Sequence, residues 1–130
     1  MAFESNKNSV VEQLCGTVTL PKMVRVRQEF DHTHMEPADI PNAVWAQLER
    51  DAVKQNIKPG MTIAITCGSR GIANIAIIVK AIVDYVKAQG ANPFVFPAMG
   101  SHGGATPEGQ LEVLKSYHVT EETMGCPIRA

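Results

Sequence analysis

The spacing of hydrophobic and polar positions changes period several times along the chain, and each change predicts an element. Residues 61–67 form a nearly continuous apolar and β-branched run, which is typical of a strand buried on both faces of a parallel sheet. Residues 74–89 place apolar side chains three and four apart, as in an amphipathic helix, and Gly90 is its expected stop. Residues 92–97 form a second short strand, and a further helix is predicted to begin after Thr106. This order predicts a parallel, right-handed βαβα unit.

The first sixty residues carry weaker periodic signals. Residues 23–30 alternate apolar with polar positions, which predicts a half-buried strand. The inward-facing side chains of this strand would be Val24, Val26 and Phe30. A helix is predicted from Ile40 to near Asn56, after an N-cap at Asp39, with Trp45 on its core face.

Together these elements predict an α/β fold class, with parallel-sheet βαβ units and helices on both faces in the Rossmann-like manner. We divide the chain into an N-terminal extension, residues 1–20, and an α/β domain, residues 21–130. Residues 127–129 have the pattern of the start of another strand, so the domain is expected to be incomplete and to form the front portion of a larger unit.

Composition narrows the classes of function. The chain has 130 residues, of which 45% are hydrophobic and 19% charged, the balance of a soluble globular protein. Its net charge of −1 lacks the excess of basic residues that nucleic acid or an anionic membrane would attract. No apolar run approaches the length needed to span a bilayer. The first residues lack the apolar segment of a signal peptide, and the three cysteines show no metal-ligand spacing. We therefore expect a cytoplasmic protein that binds neither nucleic acid nor membrane.

Two glycine-bearing loops form the candidate site. Residues 68–71 follow the first predicted strand of the βαβα unit, and residues 100–104 follow the second. Because ligands bind beyond the carboxyl ends of parallel strands, the loops are expected to face one crevice if the strands are neighbours. Arg70 offers a forked donor for carboxylate or phosphate, and Ser69 offers a hydroxyl. His102 is a candidate general base, because histidine titrates nearest to neutral pH.

Other chemistry-bearing residues have structural interpretations as well. Residues 31–34, Asp-His-Thr-His, place two histidines at alternate positions, as a metal site would, but no third ligand is apparent nearby. Cys67 is either a nucleophile beside the first loop or a small buried apolar residue. His118 at a helix end and Trp45 are assigned structural roles.

The loops also carry a family resemblance. Residues 66–72, followed by a helix, a strand and residues 97–110, resemble the first part of the N-terminal domain of the nickel-dependent lactate racemase family. The likeness covers roughly residues 20–130. The family's first loop usually reads Asp-His-Thr-Arg-Pro, whereas this chain has Cys-Gly-Ser-Arg-Gly, and Gly103 replaces the arginine that usually follows the loop histidine. The chain therefore resembles a divergent branch, and residues 31–34, which lie before the first helix, are out of register with the family motif.

The resemblance implies an isomerase that interconverts the two enantiomers of a 2-hydroxy acid by hydride transfer to a nickel-pincer nucleotide. His102 would be one of two catalytic histidines, with Arg70 and Ser69 binding the substrate. The implied cofactor-binding residues are Gly68, Gly100, Ser101 and Gly103. The family's cofactor-bearing lysine, nickel ligand and second histidine have no counterpart here, so no metal ligand is assigned. The remainder of the enzyme, or a C-terminal domain, would be the partner, and this chain is expected to be inactive alone.

Two other functions remain open from the residues. The first is a non-catalytic α/β module that binds a small anion or nucleotide through the same loops and helix N-termini. The second is a hydrolase that uses Cys67 and His102.

Overall fold

The structure, a computed structural model, describes residues 10–16, 19, 21–69 and 71–130. The chain divides into two compact units, Met1–His32 and Thr33–Ala130. In the first unit, the described residues contain helix α1, Val10–Cys15. The helices of the second unit are α2 (Ile40–Leu48), α3 (Asp51–Lys54), α4 (Ile75–Ala88), α5 (Pro107–Ser116) and α6 (Glu121–Met124). Its strands are β1 (Thr62–Cys67) and β2 (Asn92–Pro97). No helix in the described ranges has the length and apolar character needed to cross a membrane.

Strands β1 and β2 form a parallel pair with α4 as the connection between them, as the sequence predicts. Their register runs from Thr62 opposite Asn92 to Cys67 opposite Pro97. On the other edge of β2, an isolated parallel bridge joins Val95 to Ile128. The pattern of a further strand at residues 127–129 therefore corresponds to a single bridge, and the fold is a mixed α/β arrangement with a two-stranded parallel sheet.

One face of the sheet carries the hydrophobic core. Ile65 and Cys67 of β1 are buried there with residues of α4 and with Leu114 of α5. On the opposite face of β1 the side chains of Thr62, Ala64 and Thr66 are exposed. The described part of the sheet therefore does not confirm the prediction that helices cover both faces. When parallel strands follow one another in the same direction along a sheet, their right-handed crossovers all place the connecting helices on the same face.

Helix α4 lies between the sheet and α2, which explains why apolar residues occur around most of its circumference. Tyr85 is fully buried, and its hydroxyl donates a hydrogen bond to the Leu48 carbonyl oxygen at 3.1 Å. The Trp45 indole Nε1 donates to the Ala81 carbonyl oxygen at 3.0 Å, and its ring meets the Tyr85 ring edge-on with centroids 5.5 Å apart. Trp45 packs on α4 but keeps 39% of its surface exposed. These two polar links fix α2 against α4.

Two predictions for the earlier part of the chain are wrong. Residues 23–30 form no strand, and their large apolar side chains are 66% to 92% exposed. Alternation alone does not make a strand, because the backbone also needs a neighbouring strand to pair with. The helix predicted from Ile40 to near Asn56 breaks into α2 and α3, because Arg50 has an extended backbone. The break leaves the Leu48 carbonyl at a helix end, where Tyr85 supplies its donor.

Candidate functional site

The two predicted loops leave the sheet side by side. Cys67 and Pro97 are the last register pair, and the Ala98 amide extends the pairing by donating to the Cys67 carbonyl oxygen at 2.8 Å. Both chains therefore turn away from the same carboxyl edge, where open parallel sheets bind their ligands. The prediction of neighbouring loops at one edge is confirmed.

A hydrogen bond joins the loops. Ser69 Oγ lies 2.9 Å from His102 Nδ1, across 33 positions of sequence. Both side chains are half-buried. They border a cleft of about 380 Å³ that is lined by Ser69, Ala98, Met99, Gly100, Ser101 and His102. Four residues predicted from the sequence, namely Ser69, Gly100, Ser101 and His102, thus converge on one cleft.

A backbone-to-backbone contact holds the histidine loop against α5. Gly103 has a φ of 61°, and a Cβ built on it would lie 2.5 Å from the amide nitrogen of Gln110. A Cβ built on Gly109 would lie 2.7 Å from the carbonyl carbon of Gly103. Both distances are shorter than any real contact of a Cβ atom, so neither glycine can carry a side chain without movement of the backbone. In this fold, Gly103 lets the loop approach the helix.

Helix α5 braces each loop with one side chain. The Gln110 side-chain nitrogen donates to the carbonyl oxygens of Met99 at 2.6 Å and Gly100 at 3.2 Å. The Tyr117 hydroxyl, directly after α5, donates to the carbonyl oxygen of Ser69 at 2.8 Å. Neither brace was predicted from the sequence. Their separation of seven positions, which puts them on the same side of a helix two turns apart, is the signal that could have identified them.

The N-terminus of α5 confirms the predicted cap. Thr106 Oγ1 accepts a hydrogen bond from the Gly109 amide at 3.1 Å, and Pro107 occupies the first helical position. A threonine cap followed by proline satisfies one free N–H and removes another. The cap fixes where the loop ends, and therefore where Gly109 meets Gly103.

The first loop also borders a second cleft. This cleft, of about 370 Å³, is lined by Ser69, Gly71, Ile72, Ala73, Ile75 and Tyr117. Ser69 therefore borders both clefts. A Cβ built on Gly68 would make only an ordinary contact, 3.9 Å from Ile72 Cδ1, so available space does not demand glycine there. Arg70, the predicted anion-binding residue, lies outside the described residues.

Cys67 has the properties of a core residue. It is 1% exposed and belongs to the hydrophobic cluster under the sheet. Burial raises the pKa of its thiol, which reduces the thiolate fraction that a nucleophile needs. The geometry therefore opposes a hydrolase that uses Cys67 and His102.

We expect Cys67 to be alkylated slowly by iodoacetamide near neutral pH in the folded protein and rapidly in denaturant, because burial both blocks the sulfur and keeps it protonated. Mass spectrometry of the peptide that contains Cys67 measures the rate. Cys126, also buried and with its pKa raised by burial, is the matched comparison. Rapid labelling of Cys67 in the folded protein would contradict its placement in the core.

The remaining candidates from the sequence are the Asp-His-Thr-His segment, residues 31–34, and His118. His34 Nε2 lies 3.2 Å from Glu36 Oε1, and both side chains are largely exposed. Among the described residues, no three or more histidine, cysteine or acidic side chains are grouped so that they could hold a metal ion. His118 is exposed two positions after α5, and its amide donates to the Lys115 carbonyl oxygen.

Comparisons with known proteins identify no relative of this chain. No protein-family model matches the chain, and neither does any curated protein or solved structure. The likeness to the nickel-dependent lactate racemase family therefore rests on the two loop motifs alone.

Proposed function

We propose that the cleft bordered by Ser69 and His102 binds a 2-hydroxy acid, and that His102 exchanges the proton of the substrate hydroxyl. The chain would supply one of the two acid–base residues of a racemase-like isomerase. The observation that carries this proposal is the 2.9 Å link between Ser69 Oγ and His102 Nδ1. A general acid or base must be held within hydrogen-bond reach of the proton that it moves, and this link holds an imidazole at the ligand-binding edge of a parallel sheet.

The chemistry assigned to the cleft is a proton transfer. His102 accepts the hydroxyl proton while the carbinol carbon gives up its hydride to an acceptor carried by the remainder of the enzyme, and it returns the proton when that hydride comes back to the carbon. A cleft of about 380 Å³ has room for a small hydroxy acid. Arg70, in the same loop as Ser69, is proposed from the sequence as the partner of the substrate carboxylate, because a guanidinium can pair with it through two parallel hydrogen bonds.

The nickel-pincer nucleotide implied by the resemblance does not fit this cleft. Its attachment requires a lysine, and nickel requires a histidine ligand beyond the catalytic pair. The six residues that line the cleft include no lysine and one histidine. We therefore assign to this chain the acid–base and substrate-binding roles only, and we propose that the remainder of the enzyme carries the redox group.

Recognition of the hydroxyl tests the proposal without turnover. Either enantiomer of lactate is expected to shift the ring proton resonances of His102. Propionate, which lacks the hydroxyl, is expected to shift them much less. In a His102→Gln variant, lactate and propionate should bind with similar affinity. Equal shifts from the two acids, or no shift from either, would contradict the proposal. Inorganic phosphate that binds wild type and His102→Gln equally well would instead support the anion-binding module.

Turnover supplies the second measurement. In the assembled enzyme that the proposal implies, His102→Gln is expected to lower kcat for racemisation of lactate by about 10²- to 10⁴-fold, the usual contribution of a positioned acid or base. Ser116→Ala is the control, because its hydroxyl donates to the Val113 carbonyl oxygen on the exposed side of α5. An unchanged rate for His102→Gln would remove His102 from the chemistry.

A further inference from the structure

Ser69 touches the candidate base through a particular ring nitrogen. Its Oγ lies 2.9 Å from Nδ1 of His102. Ser69 thereby engages one ring nitrogen, and the proton exchange of the proposed function is assigned to the other, Nε2. The sequence assigned Ser69 to the substrate, whereas the geometry directs its hydroxyl at the histidine.

A hydroxyl is a suitable partner for an imidazole that must work in both directions. Its oxygen can accept a hydrogen bond from Nδ1–H, in which case the neutral ring has its lone pair on Nε2 and acts as a base. When Nε2 takes up the proton of the ligand hydroxyl, the ring becomes an imidazolium that keeps the hydrogen bond from Nδ1–H to Ser69 Oγ, and it acts as an acid by returning the proton from Nε2. The hydrogen bond that orients the ring is therefore present in both protonation states.

The backbone of Ser69 is itself fixed. The Tyr117 hydroxyl donates to its carbonyl oxygen at 2.8 Å, and the first loop is thereby tied to the end of α5. The same helix holds the second loop through Gln110, whose side chain donates to the carbonyl oxygens of Met99 and Gly100. One helix thus sets the positions of both partners of the Ser69–His102 hydrogen bond.

We propose that Ser69 is a positioning residue, which orients the His102 ring through Nδ1 and lets Nε2 alternate between accepting and donating a proton. This inference deepens the proposed function and rests on it for the kinetic consequence. The orientation of the ring by Ser69 does not depend on turnover, so it can be tested separately.

The first test measures the ring itself. The ¹⁵N chemical shifts of His102, recorded at alkaline pH, report the ratio of its two neutral tautomers. Ser69→Ala is expected to move this ratio toward that of a solvated imidazole, Ser69→Thr to restore it, and Ser116→Ala to leave it unchanged. Tyr117→Phe should produce a smaller shift in the same direction. An unchanged ratio in a folded Ser69→Ala variant would overturn the proposal.

The second test measures catalysis in the assembled enzyme. Ser69→Ala is expected to lower kcat about tenfold, as loss of one hydrogen bond would, with KM changed less than about twofold. Ser69→Thr should recover most of the rate. A raised KM with unchanged kcat would mean that Ser69 binds substrate, and it would overturn the positioning role. If the tautomer ratio responds as expected but wild type does not racemise hydroxy acids, the proposed function fails while the role of Ser69 in orienting His102 stands.

Discussion

Replacing Gly103 with alanine is expected to destabilise the protein by about 3 kcal/mol. Two effects add. A left-handed backbone costs a residue that carries a Cβ about 1–2 kcal/mol. Forcing extra atoms into a closed contact costs about 1–3 kcal/mol more. The contact is closed because a Cβ at Gly103 would lie 2.5 Å from the amide nitrogen of Gln110, a backbone atom that cannot rotate away. Urea denaturation of the variant and of wild type measures the difference.

Gly104 provides the matched control. Its φ of 67° is nearly that of Gly103, but a Cβ built there meets nothing within 4 Å. Gly104→Ala should therefore show the backbone effect alone, about 1 kcal/mol. Equal losses of stability in the two variants would show that the left-handed backbone, and not the contact with α5, requires glycine at position 103.

The same contact reverses the usual effect of alanine in a helix. Within a helix, alanine is about 1 kcal/mol more favourable than glycine. Gly109→Ala is nevertheless expected to be destabilising, because its Cβ would lie 2.9 Å from the Cα of Gly103 and closer still to the carbonyl group. Stabilisation of the protein by Gly109→Ala would contradict the close approach of the loop to the helix.

Local patterns predicted the elements that surround the site. The bounds of β1, α4, β2 and α5 follow from period, from the glycine after α4 and from the Thr106 cap, all of which act within a few residues. The shared edge of the two loops follows from a general rule of parallel sheets. These signals were sufficient because each one depends on the chain near it.

Contacts between distant positions could not be predicted in the same way. Nothing in the sequence indicates that Ser69 meets His102, or that Gly103 meets Gly109, because both contacts depend on how α5 packs under the sheet. Thr62, Ala64 and Thr66 occupy every second position of β1, which is consistent with one exposed face. Threonine and alanine are compatible with either a buried or an exposed face, so this alternation does not distinguish the two. Residues 23–30 show a strand-like pattern without a neighbouring strand.

Leu114→Ala is expected to lower the free energy of unfolding by about 3 kcal/mol, within the usual range of 2–5 kcal/mol for a buried leucine. Leu114 is 0% exposed and belongs to the core beneath the sheet. Leucine and alanine both favour helix, so the loss reflects burial and the cavity that remains, not helix propensity. Chemical denaturation gives the value directly.

Leu111 on the same helix is the matched control, because it is 36% exposed and its truncation should cost less than about 1 kcal/mol. The consequence for the site follows from the braces. Leu114 packs α5 against the core, and α5 holds one loop through Gln110 and the other through Tyr117. Leu114→Ala should therefore also move the tautomer ratio of His102 in the direction expected for Ser69→Ala, whereas Leu111→Ala should not. Equal effects of the two truncations on stability and on the ring would mean that α5 does not set the geometry of the Ser69–His102 pair.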